Sequence, residues 1–342
     1  MPAIMTHDFF GKDVLPSIDN LLGASIEERD AFLLGNQGPD PLFYLVLTRR
    51  MKPFYALGSS MHSNYPSAIL HAFHESLETL PLDERDIAKA YLYGFLCHYE
   101  LDRNMHPLVY CVQNAITGAG IDGITEKDGS EVHGEIEREF DEMILTHKTG
   151  CTIRTYRPYL EILHGSDEVL TIIGKMYTFM AMKVFGQFPP TDMFKCAVKN
   201  FRILQHFFYS PAGGKRSIAG LAETKALSRN FSFYRAMSHR GYNVQESMYD
   251  NHDHQTWANP FTHQLSADSF WDIYHRTIHN AVDNIMLYAK DEFSLEDARA
   301  LTKQLNFSGE PVSDELFGEN AATRGPRRLK VVEKAQERRK GQ

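Results

Sequence analysis

The chain has 342 residues, of which 43% are hydrophobic and 12% aromatic, enough for a sizeable buried core in one large domain or two ordinary ones. Its formal net charge is −8, and residues 321–342 hold eight Lys or Arg against two Glu, so the first 320 residues carry about −14. This acidic body disfavours nucleic-acid binding, whereas the basic end could touch an anionic partner or a membrane surface.

The chain has no uncharged apolar stretch of about 18 residues, and its first residues lack the pattern of a secretory signal. We therefore expect a cytoplasmic protein without a transmembrane segment. Its four cysteines form no CxxC pair and are expected to be ordinary core thiols. Sixteen histidines are many for this length, and eight of them lie in the first 150 residues, where metal ligands are therefore expected.

Helical periodicity runs through the chain without convincing period-two alternation, so we predict an all-α fold. One multi-helix domain is expected over residues 1–306, followed by a polar, basic, disordered tail over 307–342. Ser25 to Glu28 predict a capping box that opens a helix to about Leu34. The next segment, GNQGPDP at 35–41, predicts a turn that contains Asp40.

Later elements follow the same periodicity. Pro66 predicts the start of a helix to about residue 80, which His62 precedes and whose polar face carries His71 and His74. Further helices are predicted from about residue 83 and from about residue 130, and they contain the candidate metal ligands described next. Amphipathic helices are expected at 166–187, 190–208, 266–291 and 294–305, with long loops over 210–263.

The segment HYELDRNMHP at 98–107 places His98, Asp102 and His106 at i, i+4 and i+8, along the buried face of the predicted helix. A buried carboxylate costs many kcal/mol unless it is paired or binds a metal, and no Lys or Arg shares that face. Because His106 precedes Pro107, the helix is expected to end there, with the histidine free to turn inward.

A second pair, His133 and Glu137, repeats the i, i+4 spacing, which lets both side chains reach one metal ion. Imidazole and carboxylate without thiolate suit Zn, Fe, Mn or Ni, and the abundance of imidazole favours zinc. Residues 251–254, NHDH, are an alternative metal site, although polar loops often have this composition.

Five segments resemble the bacterial zinc-dependent phospholipase C family and its relatives, the single-strand-specific zinc nucleases. They are THDFFG at 6–11, GNQGPDPLFY at 35–44, LGSSMH at 57–62, YLYGFLCHYELDRNMHP at 91–107 and HGEIE at 133–137. The resemblance covers roughly the first 140 residues, and its ligand series corresponds in order to His7, Asp40, His62, His98, Asp102, His106, His133 and Glu137. It implies an all-helical domain that binds two or three zinc ions.

The resemblance also implies roles for these residues. One zinc ion would be held by Asp40, His62, His98 and Asp102, a second by His106, His133 and Glu137, and a third by His7, Asp102 and the N-terminal amine. Asp40 would also contact the attacking water, as ligand or general base. Secreted members begin with a Trp whose amine binds zinc; here the amine of Pro2, or of Met1, would take that place. His62 is preferred over His71 and His74 as a ligand because those two lie on a polar face.

The expected activity is hydrolysis of a phosphodiester by metal-activated water. A phospholipid substrate would need an apolar approach, which the expected loops at 50–66 and 210–263 could offer through Phe54, Tyr55, Phe231, Phe233 and Tyr234. The alternatives are a nuclease or nucleotidase on the same metal core, and a metal-stabilised protein that binds a ligand without turnover. Neither a GxSxG elbow nor a phosphate-binding glycine loop is present.

Overall fold

The structure is a computed structural model that describes residues 3–227 and 232–312, without the side chain of Leu227. Three expectations therefore fall outside the described residues: the role of the N-terminal amine of Met1 or Pro2, the place of Phe231, and the basic tail from residue 313 onward.

The structure confirms the all-α fold. Its α-helices are α1 (Ile4–Val14), α2 (Ile26–Gly35), α3 (Ala56–Ser63), α4 (Pro66–Ser76), α5 (Arg85–Gly118), α6 (Gly129–Thr149), α7 (Pro158–Glu161), α8 (Asp167–Phe185), α9 (Met193–Phe208), α10 (Gly214–Leu227), α11 (Phe233–Met237), α12 (Phe270–Tyr288) and α13 (Leu295–Thr302). A 3₁₀ helix spans Asp40–Leu47. Among residues 3–227 and 232–312, the strands are only β1 (Trp257–Ala258) and β2 (Leu265–Ser266), which pair antiparallel.

The predicted end of a helix at His106 is wrong. Helix α5 continues through Pro107 to Gly118. The steric bias of a residue that precedes proline is a local preference, and here the packing of α5 against α2, α6, α8 and α12 outweighs it. His106 nevertheless faces inward, because the helical spacing of four from Asp102 carries on without a break.

Two of the expected loops contain helices. The segment 50–66 includes α3, so His62 lies in a helix of its own and, as predicted, precedes the helix that begins at Pro66. The segment 210–263 includes α10 and α11. Ser25 caps α2, and its hydroxyl accepts from the backbone N–H of Glu28. The Glu28 carboxylate accepts from the backbone N–H of Gly23 and from the Ser25 hydroxyl, so it does not complete the predicted capping box. Ser269, not the earlier serine at 266, caps α12.

Helix α5 runs through the centre of the fold, and two glycines let α2 cross it closely. A Cβ atom at Gly94 would lie 1.9 Å from the carbonyl oxygen of Phe32, and one at Gly35 would lie 2.2 Å from that of Tyr91. Any side chain at either position would push the helices apart. The close crossing brings the turn after α2, with Asn36 and Asp40, against the middle of α5.

One compact unit ends at Val312, six residues beyond the boundary expected from the sequence. The residues after α13 return to the core, where Phe307 is buried and its backbone N–H donates to the carbonyl oxygen of His62. Within the described part of the chain, no helix combines the length and the apolar character needed to span a membrane.

Candidate metal centre

The eight predicted ligands lie together in the interior of the unit, although they come from five different elements. Their donor atoms form three groups, within each of which the atoms lie no more than 4.8 Å apart. The groups are His7, His98 and Asp102; Asp40, His62 and His98; and His106, His133 and Glu137. Because His98 belongs to two groups, the first two are continuous.

Asp102 lies at the centre of the arrangement and is only 6% exposed. Its Oδ1 is 3.1 Å from Nε2 of His7, and its Oδ2 is 3.2 Å from Nε2 of His98. His62 and His106 approach the same carboxylate at 3.9 and 4.0 Å. The predicted bridging position of Asp102 therefore has a geometric basis, since its two oxygens face different histidines.

The turn after α2 and helix α3 complete the second group. Nε2 of His62 lies 3.1 Å from Oδ1 of Asp40. The two rival histidines lie elsewhere: His71 pairs with Glu75 at 3.4 Å, and Nε2 of His74 donates to the carbonyl oxygen of Lys290. Of the three histidines, the structure brings only His62 to the ligand cluster.

The third group joins α5 to α6. Oε1 of Glu137 lies 3.4 Å from Nε2 of His106 and 3.2 Å from Nε2 of His133. Both histidines approach one carboxylate oxygen from different helices, an arrangement that brings three donors to a single point. The ring centroids of the two histidines are 5.3 Å apart.

Four of these histidines share one hydrogen-bonding pattern: Nδ1 faces an oxygen acceptor outside the cluster, and Nε2 faces a carboxylate within it. The acceptors are the backbone oxygens of Gly58 for His62, Asn36 for His98 and Phe307 for His106, and the side-chain oxygen of Gln113 for His133. Because a carbonyl oxygen can only accept, Nδ1 carries a proton, and when the ring is neutral the Nε2 lone pair faces the cluster. Metal-binding histidines are commonly oriented in this way.

The donor set fits a divalent cation. A neutral Nε2 and an ionised carboxylate oxygen at about 3.1–3.2 Å are two electron-rich atoms, which repel each other unless a proton or a metal ion lies between them. One buried ring nitrogen, Nδ1 of His7, has no hydrogen-bond partner. Unsatisfied buried polar atoms are costly, and coordination would satisfy them.

The charges of the cluster are strongly coupled. Burial alone would raise the pKa of Asp102, but His98 and His106, together with hydrogen bonds from His7 and His98, hold it well below its usual range. Burial would lower the pKa of His106, but Asp102 and Glu137 raise it to about 9. The metal-free cluster therefore takes up protons where a metal ion would otherwise bind.

A cavity of about 680 Å³ opens beside the third group, and His133 and Glu137 form part of its wall. Most of its remaining lining is apolar or aromatic: Phe43, Tyr44, Val46, Tyr55, Tyr110, Leu204, Phe208, Phe233 and Met237. Of the aromatic residues expected at an apolar approach, Tyr55 and Phe233 line it. Phe54 packs against the main core instead, and Tyr234 belongs to a small cluster with Phe208 and Met237.

The alternative site at 251–254 has a different character. His252 pairs with Asp250 at 2.8 Å, and Nδ1 of His254 lies 3.3 Å from Asp272. The side chains of His252, Asp253 and His254 are exposed, whereas that of Asp250 is buried. None of them belongs to a group of potential metal ligands among residues 3–227 and 232–312.

Two partners of the candidate ligands were not foreseen from the sequence. Gln113 lies seven residues after His106 on the same face of α5, so continuing the helix past Pro107 would have revealed it. Phe307 acts through its backbone carbonyl, for which a side-chain pattern gives no signal. The four cysteines are free thiols, as expected, but only Cys97 is buried in the core; Cys111, Cys151 and Cys196 are partly exposed.

No known protein family, curated protein or solved structure matches the chain.

Proposed function

We propose that this protein is a zinc-dependent phosphodiester hydrolase of the phospholipase C type. The observation that carries the proposal is the convergence of five histidines and three carboxylates into three groups of donors, next to a large and mostly apolar cavity. The order of the motifs, which resembles that family, supports the same conclusion. A site built from one or two donors would support only an incidental metal ion.

Asp102 would hold a metal ion together with His7 and His98, and Glu137 would hold one together with His106 and His133. The fixed orientation of the four histidines would preorganise these sites. When bound, zinc ions supply a water whose pKa is lowered towards about 7 and positive charge that offsets the phosphoryl oxygens. Asp40 is assigned as ligand or as proton acceptor, because its Oδ1 lies 3.1 Å from Nε2 of His62 within the second donor group.

The cavity favours a substrate with an apolar portion. Phe43 and Tyr110 line it and also contact candidate ligands, with ring centroids 5.2 Å from His62 and 5.0 Å from His133. An apolar group in the cavity would therefore leave an attached phosphoryl group within reach of the histidines. A phospholipid or another hydrophobic phosphodiester fits this arrangement.

A nuclease on the same core needs a basic groove along the nucleic-acid backbone. Among the described residues that line the cavity, Lys127 is the one cationic side chain, and Glu126 and Glu137 lie there as well. This charge balance favours a phospholipid over a polynucleotide. A metal-stabilised protein without turnover would have the same donor set, so an activity assay is needed to distinguish it from the hydrolase.

The test combines metal content, measured by mass spectrometry, with hydrolysis of a short-chain phosphatidylcholine and of bis(p-nitrophenyl) phosphate. The variants are His98→Ala and Asp102→Ala, with His279→Ala as the control because His279 is an exposed residue of α12. We expect two or three zinc ions per wild-type chain, and we expect the two site variants, but not the control, to lose both zinc and activity.

Each failure has its own meaning. Zinc that is bound without turnover of either substrate would replace the enzyme with the metal-stabilised binding protein. Faster cleavage of single-stranded DNA than of either diester would favour the nuclease. A folded wild-type chain that binds no metal after reconstitution with zinc would refute the metal centre itself.

A further inference from the structure

A fully buried carboxylate, Asp141, lies one helical turn beyond Glu137 on α6 and outside the three donor groups. Its Oδ1 accepts from the backbone N–H and the hydroxyl of Thr6, both at 2.7 Å. Its Oδ2 accepts from the backbone N–H of Met5 at 3.2 Å and from Nε2 of His239 at 2.9 Å. Four hydrogen bonds thus converge on one side chain.

These bonds compensate for a missing cap. Helix α1 begins at Ile4, and the residue before it, Ala3, has no side chain that could accept from the first turn. The second and third N–H groups of the helix, those of Met5 and Thr6, would remain unsatisfied in the interior. Asp141 takes the place of an N-cap, supplied from a distant part of the chain.

The next residue along α1 is His7. Its position relative to Asp102 depends on where the first turn of α1 is fixed, and Asp141 fixes that turn on the helix that also carries Glu137. His239 is itself buried and binds Oδ2 of Asp141, the oxygen that also accepts from the backbone N–H of Met5. A single rigid connection therefore runs from His239 through Asp141 to the turn that carries His7.

We propose that Asp141 is a positioning residue for the metal centre, one that sets His7 in place against Asp102 through the first turn of α1. The inference rests on the proposed zinc centre, and it concerns one donor group only. If the hydrogen bonds from Asp141 to α1 are lost, the group with His7 should bind its metal ion more weakly. The group formed by His106, His133 and Glu137 should keep its ion.

The test is a zinc titration of the metal-free protein against a chromophoric chelator, with the cobalt absorption spectrum as a second readout. In Asp141→Asn the shape is kept, but one acceptor oxygen becomes an NH₂ donor that faces the N–H of Met5. We expect one ion to bind about 10- to 100-fold more weakly, as for other residues that orient metal ligands, with the remaining binding unchanged.

Two further variants separate positioning from a general loss of structure. Asp297→Asn is the matched control, because Asp297 completes the capping box of α13 with Ser294, away from the donor groups. Thr6→Val removes one hydrogen bond, keeps Asp141, and provides the readout if Asp141→Asn does not fold. In a His7→Ala background, Asp141→Asn should cause no further loss of zinc affinity.

The outcomes divide clearly. Selective weakening of one ion in Asp141→Asn or Thr6→Val, absent from Asp297→Asn and from the His7→Ala background, would support the inference. Wild-type affinity in a folded Asp141→Asn protein, or equal weakening of every ion, would overturn it and leave the zinc centre standing. A wild-type chain that binds no zinc would overturn both.

Discussion

Nδ1 of His106 lies 2.7 Å from the carbonyl oxygen of Phe307, 201 residues later in the chain. The ring centroid of Phe307 lies 5.0 Å from that of His62 and 5.8 Å from that of His98. Through Phe307, the described residues after α13 therefore contact ligands of all three donor groups, although none of residues 303–312 belongs to a group. This relationship makes the end of the compact unit part of the candidate centre.

Truncation of Phe307 should affect both stability and metal binding. Phe307→Ala leaves a cavity beside His62 and His98 and releases the segment that orients His106. We expect a loss of about 3–5 kcal/mol in the free energy of unfolding, the range typical of a buried Phe→Ala change, together with weaker zinc binding. Denaturant unfolding of the metal-free protein and a zinc titration measure the two effects separately.

Phe293→Ala is the matched control. Phe293 is also buried, but it packs on Tyr288 and His74, away from the candidate ligands. The Phe293→Ala variant should lose about as much stability as Phe307→Ala and should keep the wild-type zinc affinity. Equal zinc affinity in the two variants would show that the contact with Phe307 is structural only.

The side-chain oxygen of Gln113 offers a sharper test of ligand orientation, because it lies 3.0 Å from Nδ1 of His133. Gln113→Met keeps the length of the side chain and removes the acceptor. We expect zinc affinity at the group formed by His106, His133 and Glu137 to fall about 10- to 100-fold. Gln113→Glu keeps an acceptor oxygen and should retain tight binding. If both variants bind zinc equally well, this hydrogen bond has no part in the centre.

Two single substitutions test whether His62 or His71 is the ligand that acts with Asp40. His62→Ala removes a nitrogen 3.1 Å from Asp40 and should reduce the zinc content and the activity. His71→Ala removes only a partner of Glu75, an exchange expected to cost less than about 1 kcal/mol, as for other partly exposed ion pairs. Zinc loss from His71→Ala, with His62→Ala unaffected, would reverse the assignment.

The sequence predicted the part of the site that depends on helical spacing. His98, Asp102 and His106 lie at intervals of four on α5, and so do His133 and Glu137 on α6, so each set shares a face whatever the rest of the chain does. The expected break at Pro107 was wrong, yet it left these positions on the same face. It did hide Gln113, which lies on the continuation of the helix.

The remaining parts depend on tertiary packing. His7 and Asp40 were placed by resemblance alone, because nothing local in the sequence shows that α1 and the turn after α2 meet α5. That meeting depends on the close crossing at Gly35 and Gly94 and on the cap from Asp141, whose partners are more than 130 residues away. Periodicity gives the face of each helix, but it does not give which helices touch.

Gly38 provides a test that leaves every candidate ligand unchanged. Its φ of +49° lies in the left-handed region, and a Cβ atom there would lie 2.2 Å from Cδ2 of His98. His98 has no room to withdraw, because it is fully buried, its Nδ1 is bound to Asn36, and its ring stacks on His7 at 4.2 Å. Gly38→Ala should therefore displace the His98 ring and reduce zinc binding.

Gly186→Ala separates this displacement from backbone strain. Gly186 ends α8 with a φ of +63°, and no atom lies within 4 Å of the position that its Cβ would occupy. Both alanine variants should lose about 1–2 kcal/mol from the left-handed conformation, but only Gly38→Ala should lose zinc affinity as well. Unfolding and zinc titration of the two purified variants check this, and unchanged zinc affinity in a folded Gly38→Ala protein would show that the His98 ring does not need its present position to bind the metal.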